Sequence, residues 1–264
     1  MSNKISPQAI IEDGAVIGEN VEIAAFCFIS SESSIGDSTT IAQGACIYGK
    51  TTIGKNNKIF SHAVLGSIPQ DLKFNGEDVE LIIGDNNTIR EFTLLNPGTE
   101  GGGRKTIVGN NNLLMGYVHL GHDVIVGNNC VIANSAGIAG HVEIGNNVII
   151  GAGGTGVHQF CKIGDYAMIG AASALTQDVP PFCMAEGNRA TLRGLNLNGL
   201  RRKFNREEIN ELKTAYREFF ETGKPLKDTA NEILQSTQND YVKELCNFVL
   251  ETKRGIPFER KNTW

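Results

Sequence analysis

Aliphatic side chains return at every sixth position along most of this chain. An α-helix repeats about every 3.6 residues and a strand alternates every two, so a period of six belongs to neither element alone. A hexapeptide repeat is typical of a parallel β-helix, in which short strands and turns wind around one core. The repeating positions are Ile5, Ile11, Ile17, Ile23, Ile29, Ile35, Ile41, Ile47, Ile53, Ile59, Leu65, Ile83, Ile89, Leu95, Val108, Leu114, Leu120, Val126, Ile132, Ile138, Ile144, Ile150, Val157, Ile163, Ile169 and Leu175.

Two further features of each hexad support this prediction. A small side chain often precedes the repeating residue by two positions, as at Ala45, Ala63 and Ala136, and glycine often follows it. Each hexad therefore supplies two inward side chains and then a turn, for which glycine is well suited. Three hexads close a triangular coil of about 18 residues, and coils stack about 4.8 Å apart as paired strands do. We expect this β-helix domain to occupy residues 1–187.

The repeat is interrupted in three places. Residues near 66–82 and 96–107 do not follow it, and we expect both segments to be loops that leave the prism. Loops on rigid scaffolds often carry function, so these two are candidates for the site. The segment GAGGTG at 151–156 contains one residue too many for the repeat, which predicts a bulge.

Beyond the repeat, the spacing of apolar residues becomes helical and predicts a small C-terminal helical domain over residues 188–264. A first helix follows Asn205, a favourable N-cap, and ends before Gly223. Two shorter helices follow at 226–236 and 239–253. Their apolar faces must pack on one another or on a neighbouring subunit.

Composition narrows the function classes. The formal net charge of −5 argues against nucleic-acid binding, which needs a basic stripe. Six scattered cysteines form no CxxC pair, and we interpret them as reduced and structural. No apolar run has the length of a signal peptide or a membrane span, so the cytoplasm is the expected compartment.

Four of the five histidines lie between positions 119 and 158. The gaps from His122 to His141 and from His141 to His158 are 19 and 17 residues, each within one residue of a full coil. We therefore expect these three imidazoles to form a vertical row at one edge of the prism, with His119 nearby. Imidazole is the side chain best suited to move protons near neutral pH.

Alternative interpretations of this row remain open from the residues alone. Corner positions of a purely structural solenoid tolerate polar residues, and three histidines (His119, His122 and His141) could instead hold Zn²⁺, as in a zinc lyase on the same scaffold. Asp123 could orient the imidazole of His122, as in a base–orienter pair. The backbone N–H of Gly140 could face a developing oxyanion, although a simple turn glycine explains the same residue.

Six motifs are distributed over nearly the whole chain: IPQDLKF, NLLMGYVHLGHDVIVGNNCVIAN, AGHVEIGN, VHQFCKIG, TQDVPPFCMAEGNRA and GLNLNGLRRKF. They resemble the UDP-N-acetylglucosamine O-acyltransferase family, which starts lipid A synthesis. That resemblance implies a left-handed β-helix, packed as a homotrimer with active sites between subunits. It also implies transfer of an (R)-3-hydroxyacyl group from the phosphopantetheine of acyl carrier protein to the 3-hydroxyl of UDP-GlcNAc, with no other cofactor and no metal.

The resemblance also implies roles for individual residues. His122 would be the general base, Asp123 its orienter, and Gly140 N–H the donor to the thioester carbonyl oxygen. Ala171 would stand at the position that measures acyl-chain length. The implied substrate-binding residues are Gln70, Asp71, Lys73, Asn96, His119, His141, His158, Gln159, Asn196, Asn198, Arg202 and Lys203.

Some positions depart from the family pattern. Asn96 and Arg189 stand where better-known members have histidine, and the extra residue in 151–156 lies near the expected diphosphate and acyl region. Ala171 is intermediate in size between the residues of long-chain and short-chain members. These departures leave acyl length open, and they leave a 3-amino sugar as an alternative acceptor. Acetyl transfer from CoA is a further possibility within the transferase class.

Overall fold

The computed structural model describes residues 2–259 of the 264-residue chain, and the outer ends of both predicted domains, Met1 and residues 260–264, lie outside that range. The described chain contains 28 short strands, one 3₁₀ turn at Glu100–Gly102 and four α-helices. In chain order the strands are β1 (Lys4–Ile5), β2 (Ile10–Ile11), β3 (Val16–Ile17), β4 (Glu22–Ile23), β5 (Phe28–Ile29), β6 (Ser34–Ile35), β7 (Thr40–Ile41), β8 (Cys46–Ile47), β9 (Lys50–Ile53), β10 (Lys58–Ile59), β11 (Val64–Leu65), β12 (Glu80–Ile83), β13 (Thr88–Ile89), β14 (Leu94–Leu95), β15 (Lys105–Val108), β16 (Leu113–Leu114), β17 (His119–Leu120), β18 (Ile125–Val126), β19 (Val131–Ile132), β20 (Gly137–Ile138), β21 (Glu143–Ile144), β22 (Ile149–Ile150), β23 (Gly156–Val157), β24 (Lys162–Ile163), β25 (Met168–Ile169), β26 (Ala174–Leu175), β27 (Cys183–Glu186) and β28 (Thr191–Leu195).

The strands form three parallel sheets, which are the three faces of a prism. Sheet A has the order β1-β4-β7-β10-β13-β16-β19-β22-β25-β27-β28, sheet B β2-β5-β8-β11-β14-β17-β20-β23-β26, and sheet C β24-β21-β18-β15-β12-β9-β6-β3. Successive strands pair one coil apart, as Ile5 does with Ile23, and the only antiparallel pairing among the described strands is that of β27 with β28. The predicted parallel β-helix is therefore confirmed.

The repeating aliphatic residues form the core of the prism. From Ile23 to Leu175 they are almost completely buried, whereas Ile5, Ile11 and Ile17 of the first coil remain partly exposed because no other coil formed by residues 2–259 covers that end. Burial of one such side chain contributes about 1.5–3 kcal/mol, so the stacked columns supply much of the stability.

The extra residue at 151–156 lies in the coil between β20 and β23 of sheet B and makes that coil one residue longer. Ile138 pairs with Val157, a separation of 19 residues, whereas Leu120 pairs with Ile138 at 18. Gly153 and Gly154 both have positive φ, at 81° and 76°, which lets the turn take the additional residue without strain.

Two loops leave the prism at the same edge. Residues 66–79 connect β11 with β12, and residues 96–104 connect β14 with β15. In both cases the chain leaves sheet B and returns to sheet C, so the loops lie on neighbouring coils at the edge between these sheets. We call them the first loop and the second loop.

The C-terminal region contains helices α1 (Leu197–Leu200), α2 (Arg206–Phe220), α3 (Leu226–Ser236) and α4 (Asp240–Glu251). Asn205 caps α2 as predicted and forms a complete capping box with Glu208. The chain then returns to the last coil, where the buried Asp178 accepts hydrogen bonds from Thr252 Oγ1 (2.6 Å) and the Arg254 N–H (3.3 Å). No helix among residues 2–259 is long and apolar enough to cross a membrane. The predicted boundary after residue 187 stays a prediction.

Candidate active site

His122 and Asp123 form a hydrogen-bonded pair on the edge where the two loops emerge. They follow β17 of sheet B and precede β18 of sheet C. His122 Nδ1 lies 2.8 Å from Asp123 Oδ2. Because the ionised carboxylate only accepts, Nδ1 carries the proton and Nε2 keeps its lone pair. This arrangement leaves Nε2 able to take a proton from a bound hydroxyl group.

The second loop holds the carboxylate of Asp123 in place. The Thr99 N–H donates to Oδ1 at 2.8 Å, and Thr99 Oγ1 donates to Oδ2 at 2.6 Å. Gly102 packs so closely on the carboxylate that a Cβ there would overlap it. The Asp123 side chain is only 1% exposed, and its own N–H donates to Thr106 Oγ1 at 2.8 Å. The carboxylate is thus oriented toward His122 from three sides.

His141, whose side chain is 20% exposed, completes the cluster on the next coil. Its ring meets the ring of His122 edge to face, with centroids 4.9 Å apart. Its Nδ1 lies 3.8 Å from Asp123 Oδ2, which is beyond hydrogen-bond range. Burial lowers the pKa of His141, and the charge of Asp123 only partly opposes that shift. His141 is therefore neutral at neutral pH, and the imidazole that forms a hydrogen bond with Asp123 is that of His122.

Phe160 covers the other face of His141. The two rings are nearly parallel, at 5°, with centroids 4.4 Å apart, and Phe160 is itself 55% exposed. Asp123, His141 and Phe160 hold equivalent corner positions on successive coils, with φ of 60°, 60° and 63°. Sequence reasoning missed Phe160, although its 19-residue spacing from His141 could have identified it.

Gly140 lies directly against the imidazole of His122. A Cβ at this position would stand 2.5 Å from Cε1 and 2.6 Å from Nε2, so only glycine leaves room for the ring. Within residues 2–259, the Gly140 N–H donates no hydrogen bond. The residue thus presents a free donor close to the base.

The predicted vertical row of three histidines is wrong in its register. Hydrogen bonds align His141 with Asp123, and Phe160 rather than His158 with His141. His158 follows the pair Ile138–Val157 and is level with Ala139. Its Nδ1 lies 3.3 Å from the Gln159 carbonyl, and both side chains are exposed. The error arises because the bulge at 151–156 shifts the register, so the row contains only two imidazoles.

His119 lies on β17, three residues before His122. Its Nδ1 is 3.3 Å from the Leu94 carbonyl oxygen, and burial lowers the pKa of its imidazole. Among the described residues, the side chains that could jointly hold a metal ion are His122, Asp123 and His141. The zinc-ligand set suggested by the sequence, which includes His119, is not assembled.

The first loop brings charge to this cluster. The carboxylate of Asp71 is close enough to His141 to act on its pKa in the raising direction. Asp71 Oδ1 accepts a hydrogen bond from the Lys73 N–H at 3.0 Å, and the side chains of Gln70 and Lys73 are exposed. Asn96, in contrast, is buried beneath the loop.

The remaining predicted residues lie elsewhere in the single chain. Ala171 is on the edge between sheets A and B, a different edge from that of His122. Asn196 is buried as the N-cap of α1: its Nδ2 donates to the Tyr166 carbonyl at 3.0 Å and its Oδ1 accepts from the Gly199 N–H at 3.1 Å. Asn198, Arg202 and Lys203 lie in or directly after α1. The structure therefore does not bring this group to His122 within one subunit.

Comparison with known proteins gives consistent matches along the chain. Residues 178–257 match the family model described as "Udp N-acetylglucosamine O-acyltransferase; Domain 2", and residues 105–140 match "Bacterial transferase hexapeptide (six repeats)". The chain is 72% identical over 260 residues to the acyl-[acyl-carrier-protein]--UDP-N-acetylglucosamine O-acyltransferase of Sulfurimonas denitrificans, covering 98% of this chain and 99% of that protein. It is 65% identical to the protein of the same name from Sulfurovum sp., over 258 residues with 98% and 99% coverage.

Solved structures agree with these matches. The UDP-N-acetylglucosamine acyltransferase from Campylobacter jejuni superposes with a TM-score of 0.93 at 46% identity, covering 97% of this chain and 100% of that one. The UDP-N-acetylglucosamine O-acyltransferase from Moraxella catarrhalis gives a TM-score of 0.93 at 41% identity, with coverages of 96% and 98%. The agreement confirms the predicted left-handed β-helix with a small helical domain.

Proposed function

The chain belongs to the UDP-N-acetylglucosamine O-acyltransferase family, and from this premise we propose that the His122–Asp123 pair is its catalytic centre. The enzyme transfers an (R)-3-hydroxyacyl group from acyl carrier protein to the 3-hydroxyl group of UDP-GlcNAc, the first step of lipid A synthesis. The observation that carries the catalytic assignment is the 2.8 Å contact between Asp123 and His122 Nδ1, which leaves Nε2 free as a base.

The proposed reaction uses this pair as follows. A sugar hydroxyl is a poor nucleophile near pH 7, so Nε2 of His122 takes its proton while the oxygen attacks the thioester carbonyl carbon. A C–O bond forms, and the carbonyl oxygen becomes an oxyanion that the Gly140 N–H can stabilise. The C–S bond then breaks, and the phosphopantetheine thiolate takes the proton from the imidazolium of His122. Asp123 stabilises that imidazolium and keeps the ring in place.

The same edge of the prism supports the binding of the UDP-sugar. Asp71 of the first loop acts electrostatically on His141, and we assign it, with the neighbouring Gln70, to the sugar hydroxyl groups. The imidazoles of His119, His141 and His158, with Gln159, would line the sugar and diphosphate region. The exposed Lys73 supplies one cation near that end.

We assign the nucleotide end to Arg202 and Lys203, with Asn198 beside them and Asn196 holding the turn. Both cations are exposed, and neither forms an ion pair within the described part of the chain. They lie away from His122 in one subunit, as does Ala171, the residue proposed to measure acyl length. A second subunit must therefore supply them to the same cleft.

A homotrimer is the assembly that we propose. The outward face of sheet A carries five apolar side chains in one row, each only partly buried in the single chain. Such a row is more apolar than a solvent-facing strand surface normally is, which favours contact with another copy. The row consists of Leu113, Val131, Ile149, Met168 and Met184. Light scattering should give about three times the chain mass of 28.5 kDa.

The proposed chemistry requires no bound cofactor, because the acyl group arrives already activated as a thioester. The cytoplasm is the compartment that we propose, since the acyl donor is a carrier protein and all six cysteines are free thiols. The zinc-lyase and 3-amino-sugar alternatives are not favoured, because the relatives named above carry O-acyltransferase names.

The test is a direct transfer assay. The purified protein is mixed with a series of 3-hydroxyacyl carrier proteins and with UDP-GlcNAc or its 3-amino analogue, and the products are weighed by mass spectrometry. We expect an ester on UDP-GlcNAc, undiminished by a chelator, and a rate reduced at least about 100-fold in His122→Ala. Absence of an ester product, or full activity of His122→Ala, would remove the proposal.

A mixing experiment tests the shared cleft. Inactive His122→Ala and Arg202→Ala subunits are unfolded together, refolded as mixed trimers and assayed. If one cleft takes His122 from one subunit and Arg202 from another, mixed trimers recover part of the activity, because some clefts contain both native residues. If both residues act within one subunit, mixing recovers none.

A further inference from the structure

The stretch from Asn96 to Thr99 connects the first loop with the catalytic carboxylate. Thr99 donates two hydrogen bonds to Asp123, at 2.8 and 2.6 Å. Three residues earlier, Asn96 Nδ2 lies 3.0 Å from the Ser67 carbonyl oxygen and 3.1 Å from the Ile68 carbonyl oxygen. The same short segment therefore contacts the base of the first loop at one end and Asp123 at the other.

The amide of Asn96 has only one chemically reasonable orientation. Nδ2 faces two carbonyl oxygens and, at 3.3 Å, the Ser67 hydroxyl oxygen. Exchanging the amide oxygen and nitrogen would place Oδ1 against two carbonyl oxygens, and the Ser67 hydroxyl at 3.3 Å would be its one donor there. Asn96 is 1% exposed, so its donor group is committed to the loop and has no open face toward a ligand.

At the start of this loop Pro69 is buried, but the apolar side chains on either side of it are not. Ile68 is 73% exposed and Leu72 is fully exposed, so neither side chain packs the loop down. Asp71 follows Ile68 by three residues, which limits it to about 10 Å from the anchored backbone. The hydrogen bonds of Asn96 therefore restrict where the Asp71 carboxylate can lie, and that carboxylate acts electrostatically on His141.

We propose that Asn96 is a positioning residue, which fixes the base of the first loop so that Asp71 and Lys73 are correctly placed for the UDP-sugar. The inference rests on the proposed function. It assigns Asn96 to holding the loop, instead of to the direct substrate contact that the family resemblance implied. Removal of the anchor should leave the His122–Asp123 pair intact, because Thr99 keeps both of its hydrogen bonds. The loss should therefore appear in KM for UDP-GlcNAc and not in kcat.

Two variants and one matched control test the proposal. Asn96→Ala removes the side chain, and Asn96→Asp keeps its shape but removes the donor. Asn112→Ala is the control, because Asn112 is a buried asparagine whose Nδ2 donates to the Gly127 carbonyl (2.9 Å) and whose Oδ1 accepts from the Cys130 N–H (2.7 Å). It bridges coils of the prism without touching the first loop.

Amide hydrogen exchange of residues 67–74, read by mass spectrometry, reports the loop independently of activity. We expect faster exchange in both Asn96 variants, and a KM for UDP-GlcNAc raised about tenfold, as loss of a buried hydrogen bond implies. Values of kcat should stay within about threefold of wild type, as the intact pair requires. Asn112→Ala should lower the unfolding temperature but leave loop exchange and KM unchanged. Combining Asn96→Ala with Asp71→Ala should add little to the KM of Asp71→Ala alone.

Unchanged loop exchange in Asn96→Ala would overturn the proposal, and so would faster exchange with an unaltered KM. An equal rise of KM in the Asn112 control would also overturn it, since the effect would then be one of general stability. If the wild-type protein transferred no acyl group to UDP-GlcNAc, the proposed function would fall, and the loop exchange would still decide whether Asn96 anchors the loop.

Discussion

The substitution Asp123→Asn should reverse the tautomer of His122 and thereby remove the general base. The Thr99 N–H donates to Oδ1 and cannot reorient, because it belongs to the backbone. The amide oxygen of the new asparagine must therefore stay at the Oδ1 position, and its NH₂ group must take the Oδ2 position. That NH₂ group would then point at His122 Nδ1 from about 2.8 Å, the distance at which Oδ2 now lies. Nδ1 would have to accept, and the ring proton would move to Nε2.

The magnitude follows from what is lost. General-base catalysis contributes about 10²–10⁴-fold to a rate, and a protonated Nε2 cannot provide it. The imidazolium would also lose its charged partner, a contact worth about 1.5–3 kcal/mol. We therefore expect kcat to fall by about 10²–10⁴-fold. Because the Asp123 side chain is buried and touches no substrate in the proposed mechanism, KM for UDP-GlcNAc should stay within about threefold of wild type.

The assay is the initial rate of ester formation, followed by mass spectrometry across a range of UDP-GlcNAc concentrations. Asp178→Asn is the matched control, since Asp178 is equally buried and accepts hydrogen bonds from the Lys162 N–H (2.8 Å) and Thr252 Oγ1 (2.6 Å) far from the site. It should lower the unfolding temperature and leave kcat unchanged. The reasoning is refuted if Asp123→Asn keeps kcat within about threefold of wild type, or if Asp178→Asn loses as much.

Three further predictions concern packing, pH and helix capping. Gly140→Ala places a methyl group 2.5 Å from Cε1 of His122, so kcat should fall at least about tenfold with little change in unfolding temperature; a kcat within twofold of wild type would contradict this. Burial raises the pKa of Glu244 to about 7 from 4.5, with a smaller contribution from Asp165. As pH rises, Glu244 therefore ionises in the unfolded chain before it ionises in the folded protein, and the free energy of unfolding should fall between about pH 4.5 and 7, by on the order of 1 kcal/mol after solvent screening. In Glu244→Gln the unfolding temperature should depend less on pH in that window, and the same pH dependence as in wild type would contradict the prediction. Asn205→Ala removes the cap of α2 and should cost about 1 kcal/mol in thermal unfolding with kcat unchanged, and an equal stability would show that the cap is dispensable.

Periodicity alone was sufficient to predict the β-helix, because a prism of stacked coils contacts only its own neighbouring coils. Each inward side chain, such as Ile47 or Leu120, meets the residue about 18 positions away, so the core follows from the repeat. The same periodicity identified the segments 66–82 and 96–107 as interruptions of the repeat, and hence as loops outside the prism. It also identified His122 and Asp123 as neighbours at a corner.

The hexad pattern did not indicate the asparagines inside the prism. Asn57, Asn87 and Asn112 are buried, and the Oδ1 of each accepts a hydrogen bond from a backbone N–H of the next coil: Asn57 from Asn87 (2.8 Å), Asn87 from Asn112 (2.9 Å) and Asn112 from Cys130 (2.7 Å). A polar residue at an inward position looks like a break in the pattern. Only the stacked coils supply the backbone partners that make its burial favourable.

The spacing of residues along the chain was enough to predict the winding of the prism, its hydrophobic columns and the corner at which His122, the proposed general base, lies, since all of these depend on local spacing. What only the tertiary structure decided is how the two loops fold back onto that corner. Thr99 orients Asp123 and Asn96 holds the first loop, through contacts that follow no period. Such contacts depend on the path of each loop through space, which hydrophobic spacing does not encode.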